Sequence, residues 1–170
     1  MNVSYEGLRV GQGFDIHRFE ETPSGKKLVL GGVVFDGERA LVGHSDADAV
    51  AHAVADALLG AAGLGDIGEH FPDTDPRWKG ADSIEILRNV AAKLSNEGYR
   101  ILNVDCSVVC ERPKLAPRRD DMQTRLSDVV GAPVTVKGRR AEQLGALGRG
   151  EGIACWASAV LLRFDERGRG

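Results

Sequence analysis

The chain has 170 residues, 28% charged and 42% apolar, with a formal net charge of −3. That length suits one domain whose core needs no disulfide support. The acidic balance argues against an extended nucleic-acid groove, which requires a basic surface, while leaving room for a local phosphate pocket.

The opening MNVSYEGLRV shows no leader-like apolar run, and no stretch approaches the roughly 18–20 apolar residues of a membrane helix. Residues 7–14 and 27–35 (KLVLGGVVF) read as strands, rich in β-branched and apolar residues, with the turn-rich ETPSG between them. From Ser45 to Ala62 the pattern is helical, with Val50, Val54, Ala57 and Leu58 on one stripe. Ser45 suits the N-cap, Asp48 three residues later resembles a capping box, and Gly63 and Gly65 stop the helix. Residues 66–79 (DIGEHFPDTDPRWK) form a long loop, a common carrier of function. A second helix spans Asp82 to Asn96, with Ile84, Leu87, Val90 and Leu94 inward and Gly98 as the stop. Residues 100–110 are a strand. Leu115 to Val130 form a third helix, delayed by Pro117. Strands at 133–137 and 152–164 complete a single α/β domain over 1–170, with a core of about 8–163 and a frayed tail at 165–170. Cys106 and Cys110 lie too far apart along one strand to bridge. With Cys155 they read as packed, reduced thiols of a cytoplasmic protein.

The chemistry-bearing residues concentrate in two segments. GFDIHRF carries Asp15 and His17, and GHSDADAVAHA carries His44 and His52; three of the four histidines lie there. On a strand, Asp15 and His17 leave the same face. One carboxylate and two imidazoles, with His52 projecting from a helix that starts near Ser45, suffice for a zinc ion with one open position. The competing reading makes Asp15 a turn cap and His17 a satisfied polar residue. Asp48 or Asp56, one turn either side of His52, can accept its second imidazole N–H; otherwise both are surface residues. His44 and Ser45, at the helix start, can contact an anion or merely cap. ERPK (Glu111–Lys114) and VKGRR (Val136–Arg140) end strands with clustered cations, which suggests a polyanionic ligand. GLGDIG (Gly63–Gly68) copies a dinucleotide fingerprint, but it follows a helix and enters a loop, so that reading is rejected. GRGEG (Gly148–Gly152) reads as a tight turn.

The strings GFDIHRF, LGGV, GHSDADAVAHAVADALLGAAGLGDIGEHFPDTDP, KGADS, NVD, RPK and GRGEGIA, in this order and spacing, resemble the 2-C-methyl-D-erythritol 2,4-cyclodiphosphate synthase family over about residues 8 to 163. The resemblance implies α/β subunits of the α+β sandwich type, each with a mixed four-to-five-stranded sheet and helices on one face. It implies a homotrimer with active sites between subunits. It also implies zinc on Asp15, His17 and His52, and a CDP-linked substrate. Asp15, Ile16, His17, His44 and Ser45 then lie against that substrate, His44 and Ser45 on phosphate. Asp66, Ile67 and Gly68 match the loop around the erythritol part, and Phe71, Pro72, Asp73, Thr74 and Asp75 a segment that closes over it. Cys110, Glu111, Arg112, Pro113, Lys114, Leu115 and Ala116 match the stretch around the cytidine and its phosphates. Glu142 matches the carboxylate for a second divalent ion, magnesium or manganese. Ala146 and Arg149 fall where the family lines the substrate site and a central cavity associated with isoprenoid diphosphates.

Three departures stand out. The family's Lys-Ala-Thr-Thr-Thr/Ser-Glu run reads here Lys137-Gly138-Arg139-Arg140-Ala141-Glu142, so Arg140 replaces a hydroxyl with a larger, bidentate phosphate binder. Ala146 lacks the family's bulk. Ala47 takes a glycine position, which the helical reading makes a mild change. The implied reaction is an intramolecular phosphoryl transfer releasing CMP. It needs positioning and charge neutralisation but no protein nucleophile, with His44 and Arg140 as catalytic phosphate holders. Two rivals remain: a zinc-dependent nucleotide-diphosphate hydrolase and a non-catalytic trimer that binds isoprenoid diphosphates.

Overall fold

The computed structural model describes residues 7–164, so the expected frayed tail lies outside the described residues. Strand β1 (Leu8–Arg18) is longer than expected and carries all of GFDIHR in extended backbone. Its side chains alternate. Gly11, Gly13, Asp15 and His17 face one side, while Val10, Phe14 and Ile16 face the other and are exposed. β4 (Tyr99–Val109), β5 (Val134–Arg139) and β6 (Gly152–Arg163) complete a mixed sheet in the order β1-β6-β4-β5. β6 runs antiparallel to both neighbours, and β5 runs parallel to β4. The register aligns Asp15, Cys155, Val108 and Gly138 in one row across all four strands.

Residues 27–35 form not one strand but a hairpin, β2 (Leu28–Leu30) and β3 (Val33–Phe35), outside the main sheet. The reason is the Gly31-Gly32 pair, with φ of 57° and 71°, which turns the chain in two residues. Both glycine N–H groups donate to the Asp48 carboxylate, at 2.8 and 2.6 Å. Asp48 also accepts from Val50 N and Ala51 N, at 3.0 and 3.1 Å, and is the N-cap of α1 (Ala49–Ala62). The helix therefore starts four residues after Ser45. Asp48 wins the cap because its two oxygens also satisfy the buried hairpin turn. Ala47 accordingly lies before the helix with φ 59°, a left-handed conformation that costs an alanine about 1 kcal/mol. It is not the mild intrahelical change expected.

α1 ends at Gly63, φ 70°. A four-residue α2 (Ile67–His70) and a 3₁₀ turn at Pro76–Trp78 lie within the long loop. α3 (Ser83–Asn96) is capped by Asp82 and buries Ile84, Leu87, Val90 and Leu94 as expected. A 3₁₀ turn through Pro117 delays α4 (Arg119–Val130), and α5 (Gly145–Gly148) is a single turn before β6. α1 packs on β1 and β6, α3 on β4 and α4 on β5. These helices cover one sheet face, whose inward row includes Val104, Cys106, Val108, Cys155, Ala157 and Leu161. All three cysteines are free and buried. Among the described residues no helix is long and apolar enough to cross a membrane.

Candidate functional site

The site begins with two missing side chains. A Cβ on Gly11 would lie 2.1 Å from the Ala57 carbonyl oxygen, and one on Gly13 would lie 2.0 Å from that of Ala53. Glycine in the strand and alanine in the helix let α1 rest almost directly on the β1 backbone. His52, near the start of α1, is thereby brought over Asp15 and His17.

Asp15 Oδ2 lies 3.0 Å from His17 Nε2 and 3.0 Å from His52 Nδ1. One donor atom from each of the three residues falls within 4.8 Å of the others. His17 Nδ1 donates to the Val42 carbonyl at 2.8 Å, which leaves Nε2 with its lone pair. That Nε2 is buried and has no aligned hydrogen-bond partner among the described residues. Burial works against the ionised Asp15, yet the two imidazoles beside it hold its carboxyl well below the usual range. Burial likewise disfavours a charged His17, but the adjacent Asp15 carboxylate and the Val42 hydrogen bond raise it overall. An orphaned imidazole nitrogen beside an ionised carboxylate and a second imidazole fits a divalent cation with one position free, and nitrogen and oxygen donors of this kind suit zinc.

The second His52 nitrogen has neither expected carboxylate as partner. Nε2 meets Ser83 Oγ at 2.8 Å and Ser45 Oγ at 3.2 Å. Asp48 is committed to the hairpin and cap, and Asp56 accepts the Ile67 N–H at 2.8 Å. His44 and Ser45 precede the helix rather than sit at its start. The His44 carbonyl accepts Gly80 N–H at 2.8 Å, and Ser45 Oγ accepts Ala47 N–H at 3.2 Å. Ile16 points from the opposite sheet face, 51% exposed, and meets the triad only through its backbone N–H on Asp15 Oδ1 at 2.9 Å.

The long loop is anchored at its start, where Asp56 ties the first residue of α2 to α1. Asp66 caps α2 on Glu69 N at 2.9 Å, followed by Ile67 and Gly68. Phe71 meets Trp78 edge-on at 4.9 Å, and Pro72 O accepts Asp75 N at 3.0 Å. Asp73 and Thr74 are exposed. Asp75 is bound by the Arg77 guanidinium, which holds its carboxyl below the usual range.

The remaining expected residues gather elsewhere. Cys110, Glu111, Pro113, Lys114, Leu115 and Ala116 face Gly138, Arg139 and Arg140 across a cleft of about 220 Å³. Glu111 Oε1 accepts Ala141 N–H at 3.0 Å and joins its two walls. A neighbouring hollow of about 490 Å³ shares Lys114 and Arg140 and adds Arg112 and Arg118. Burial pushes the Cys110 thiol up to about 11. Lys137 does not join these cations, because Asp105 takes it as an ion pair. Glu142 is exposed in a left-handed conformation, φ 50°. Ala146 is exposed on α5, and Arg149 is paired with Glu151 at 2.6 Å.

Triad and cleft are thus two clusters. They occupy opposite edges of the row Asp15–Cys155–Val108–Gly138, three strand spacings or about 14 Å apart within one chain. Sequence reading missed Ser83, Asp46 and the Val42 carbonyl. Only KGADS, already conspicuous as a string, hinted at Ser83.

Fold and site define an α/β protein with three convergent donors able to hold a divalent cation at one sheet edge and a basic cleft at the other. A YgbB family profile matches residues 8–162, and the chain belongs to that family. It is 53% identical over 159 residues to the bifunctional enzyme IspD/IspF of Anaeromyxobacter sp. (strain Fw109-5), covering 92% of this chain and 40% of that one. It is 52% identical to the 2-C-methyl-D-erythritol 2,4-cyclodiphosphate synthase of Geobacillus kaustophilus, covering 92% and 99%. Among solved structures it resembles the bifunctional IspDF from Campylobacter jejuni, with TM-score 0.86, 40% identity, and 93% and 43% coverage. It also resembles Plasmodium falciparum IspF in a CDP complex, with TM-score 0.80, 34% identity, and 95% and 100% coverage. The chain spans less than half the length of the bifunctional relatives.

Proposed function

We propose that the chain converts 4-diphosphocytidyl-2-C-methyl-D-erythritol 2-phosphate to 2-C-methyl-D-erythritol 2,4-cyclodiphosphate and CMP, as a lyase of non-mevalonate isoprenoid biosynthesis. The observation that carries this reading is the convergence of Asp15, His17 and His52 donors within 4.8 Å, in a chain of this family. A substrate 2-phosphate oxygen attacks the β-phosphorus, the bond from that phosphorus to the oxygen of CMP breaks, and the ring closes. Asp15, His17 and His52 would hold a divalent ion, zinc by its donor set, and such an ion would supply Lewis acidity to the transfer. His44 and Arg140 neutralise phosphate charge from the other side, and Lys114 meets the nucleotide phosphates. Glu142, exposed after β5, would hold a second divalent ion, magnesium or manganese, which would add charge neutralisation. The 66–75 segment covers the erythritol moiety, and the Cys110–Ala116 cleft takes the cytidine.

The separation of about 14 Å supports a site completed between copies, the triad of one meeting the cleft of the next; the family resemblance makes that assembly a homotrimer. The exposed apolar side chains of the helix-free sheet face, Val10, Phe14, Ile16 and Trp156, supply a surface for it. The test is CMP release from the substrate, with and without chelator, with phosphorus NMR of the product. The expected result is chelator-sensitive release with a cyclic diphosphate. A linear product would make the chain a hydrolase, and no CMP at any metal concentration would leave only binding. His52→Ala is expected to lose metal and activity together.

A further inference from the structure

With no cation bound, His52 Nδ1 donates to Asp15 Oδ2 at 3.0 Å; a cation held at Nδ1 replaces that hydrogen, and the neutral ring must then carry its one hydrogen at Nε2. At the far nitrogen stands Ser83 Oγ, 2.8 Å away, on a residue only 1% exposed. The direction of that hydroxyl is settled by Asp46. Ser83 Oγ donates to Asp46 Oδ1, while Asp46 Oδ2 accepts the Ser83 backbone N–H at 3.1 Å. Asp46 Oδ1 also accepts the Asp48 N–H, at 3.2 Å. Every contact to this carboxylate is a donor. With its proton committed to Asp46, Ser83 has only lone pairs left for His52.

We propose that Asp46 and Ser83 are positioning residues for the metal centre: the chain Asp46–Ser83–His52 places the imidazole hydrogen on Nε2 and frees Nδ1 for the cation. The Val42 carbonyl does the same for His17. The proposal rests on the metal reading of the triad. The relay also joins that centre to the root of the long loop, since Asp46 N–H donates to Ala81 O at 3.1 Å and Ser83 opens α3. Outer partners of this kind typically contribute about 10–100-fold to metal affinity. Asp46→Asn is informative because its amide must turn hydrogens toward either the Ser83 N–H or the Ser83 hydroxyl. The second choice reverses the hydroxyl and moves the imidazole hydrogen to Nδ1.

The experiment is zinc competition against a chromophoric chelator for the full chain and for Ser83→Ala, Ser83→Thr, Asp46→Asn and His52→Ala, with metal-free melting as the fold control. Ser83→Ala and Asp46→Asn should bind zinc about 10–100-fold more weakly, with Ser83→Thr restoring most of the loss. Affinity of Ser83→Ala within fivefold of the unsubstituted chain overturns the relay while leaving the ligands intact, provided His52→Ala loses zinc. A lowered metal-free melting point in Ser83→Ala, with no recovery of affinity in Ser83→Thr, also overturns it. Absence of zinc uptake by the unsubstituted chain overturns the metal reading itself.

Discussion

Gly13→Ala tests how the site is built. The added Cβ would lie 2.0 Å from the Ala53 carbonyl oxygen and 2.6 Å from Ala57 N, backbone atoms that no rotamer change can move. Ordinary contact begins at 3.4 Å, so α1 and β1 must part by about 1.4 Å. Overpacking of this kind costs about 1–3 kcal/mol, which in a domain of this size lowers the melting point by about 2–12 °C. The functional loss should be larger than the structural one. His52 rides on α1 and the other two donors on β1, while metal–ligand distances tolerate only about 0.2 Å. Zinc competition should therefore show affinity reduced at least about 100-fold in protein that still folds. Gly60→Ala, in the same helix, is the control: its Cβ meets nothing closer than Gln12 O at 3.8 Å. It should be neutral or stabilise by up to about 1 kcal/mol. A Gly13→Ala protein that melts like the parent and binds zinc as tightly would refute the account of the helix–strand contact.

Other substitutions probe other parts. Asp48→Ala strips the acceptor from four backbone N–H groups and should destabilise by about 3 kcal/mol, lowering the melting point by about 6–12 °C in a thermal scan. A change below about 2 °C would show that the hairpin and cap find other acceptors. Arg140→Ala, at an exposed position, should lower CMP release by about 10–100-fold with an unchanged melting point; unaltered turnover would make Arg140 a bystander. Cys110, pushed up to about 11 by burial, keeps so little thiolate near pH 8 that alkylation should run at least about 100-fold slower than for a free cysteine. Rapid labelling of the native protein at Cys110 would contradict that burial.

Much of this was legible because periodicity reports facing. The two-residue repeat paired Asp15 with His17, and the stripes of α1 and α3 identified the inward residues. Capping was misread where a local rule met a tertiary demand. Ser45 satisfies the N-cap preference, but Asp48 also answers two glycine N–H groups seventeen and sixteen residues away, and no window along the chain contains that. KLVLGGVVF looked like one strand because Gly-Gly is a turn signal only when both residues take positive φ. Asp48 and Asp56 were reasonable partners for His52 by helical spacing, yet Ser83 arrives from α3, a contact set by helix packing. The distribution of candidate residues between two edges depends on register, which hydrophobic pattern alone does not give.

On the proposed assembly, the gap between those two edges would make catalysis a property of junctions rather than of chains. If each subunit lends its metal site to one neighbour and its nucleotide cleft to the other, a chain damaged at His52 and a chain damaged at Lys114 are not equally useless in company. Reassembled at random in equal amounts, they would rebuild an intact junction at about one position in four, so two dead parents would yield a living mixture.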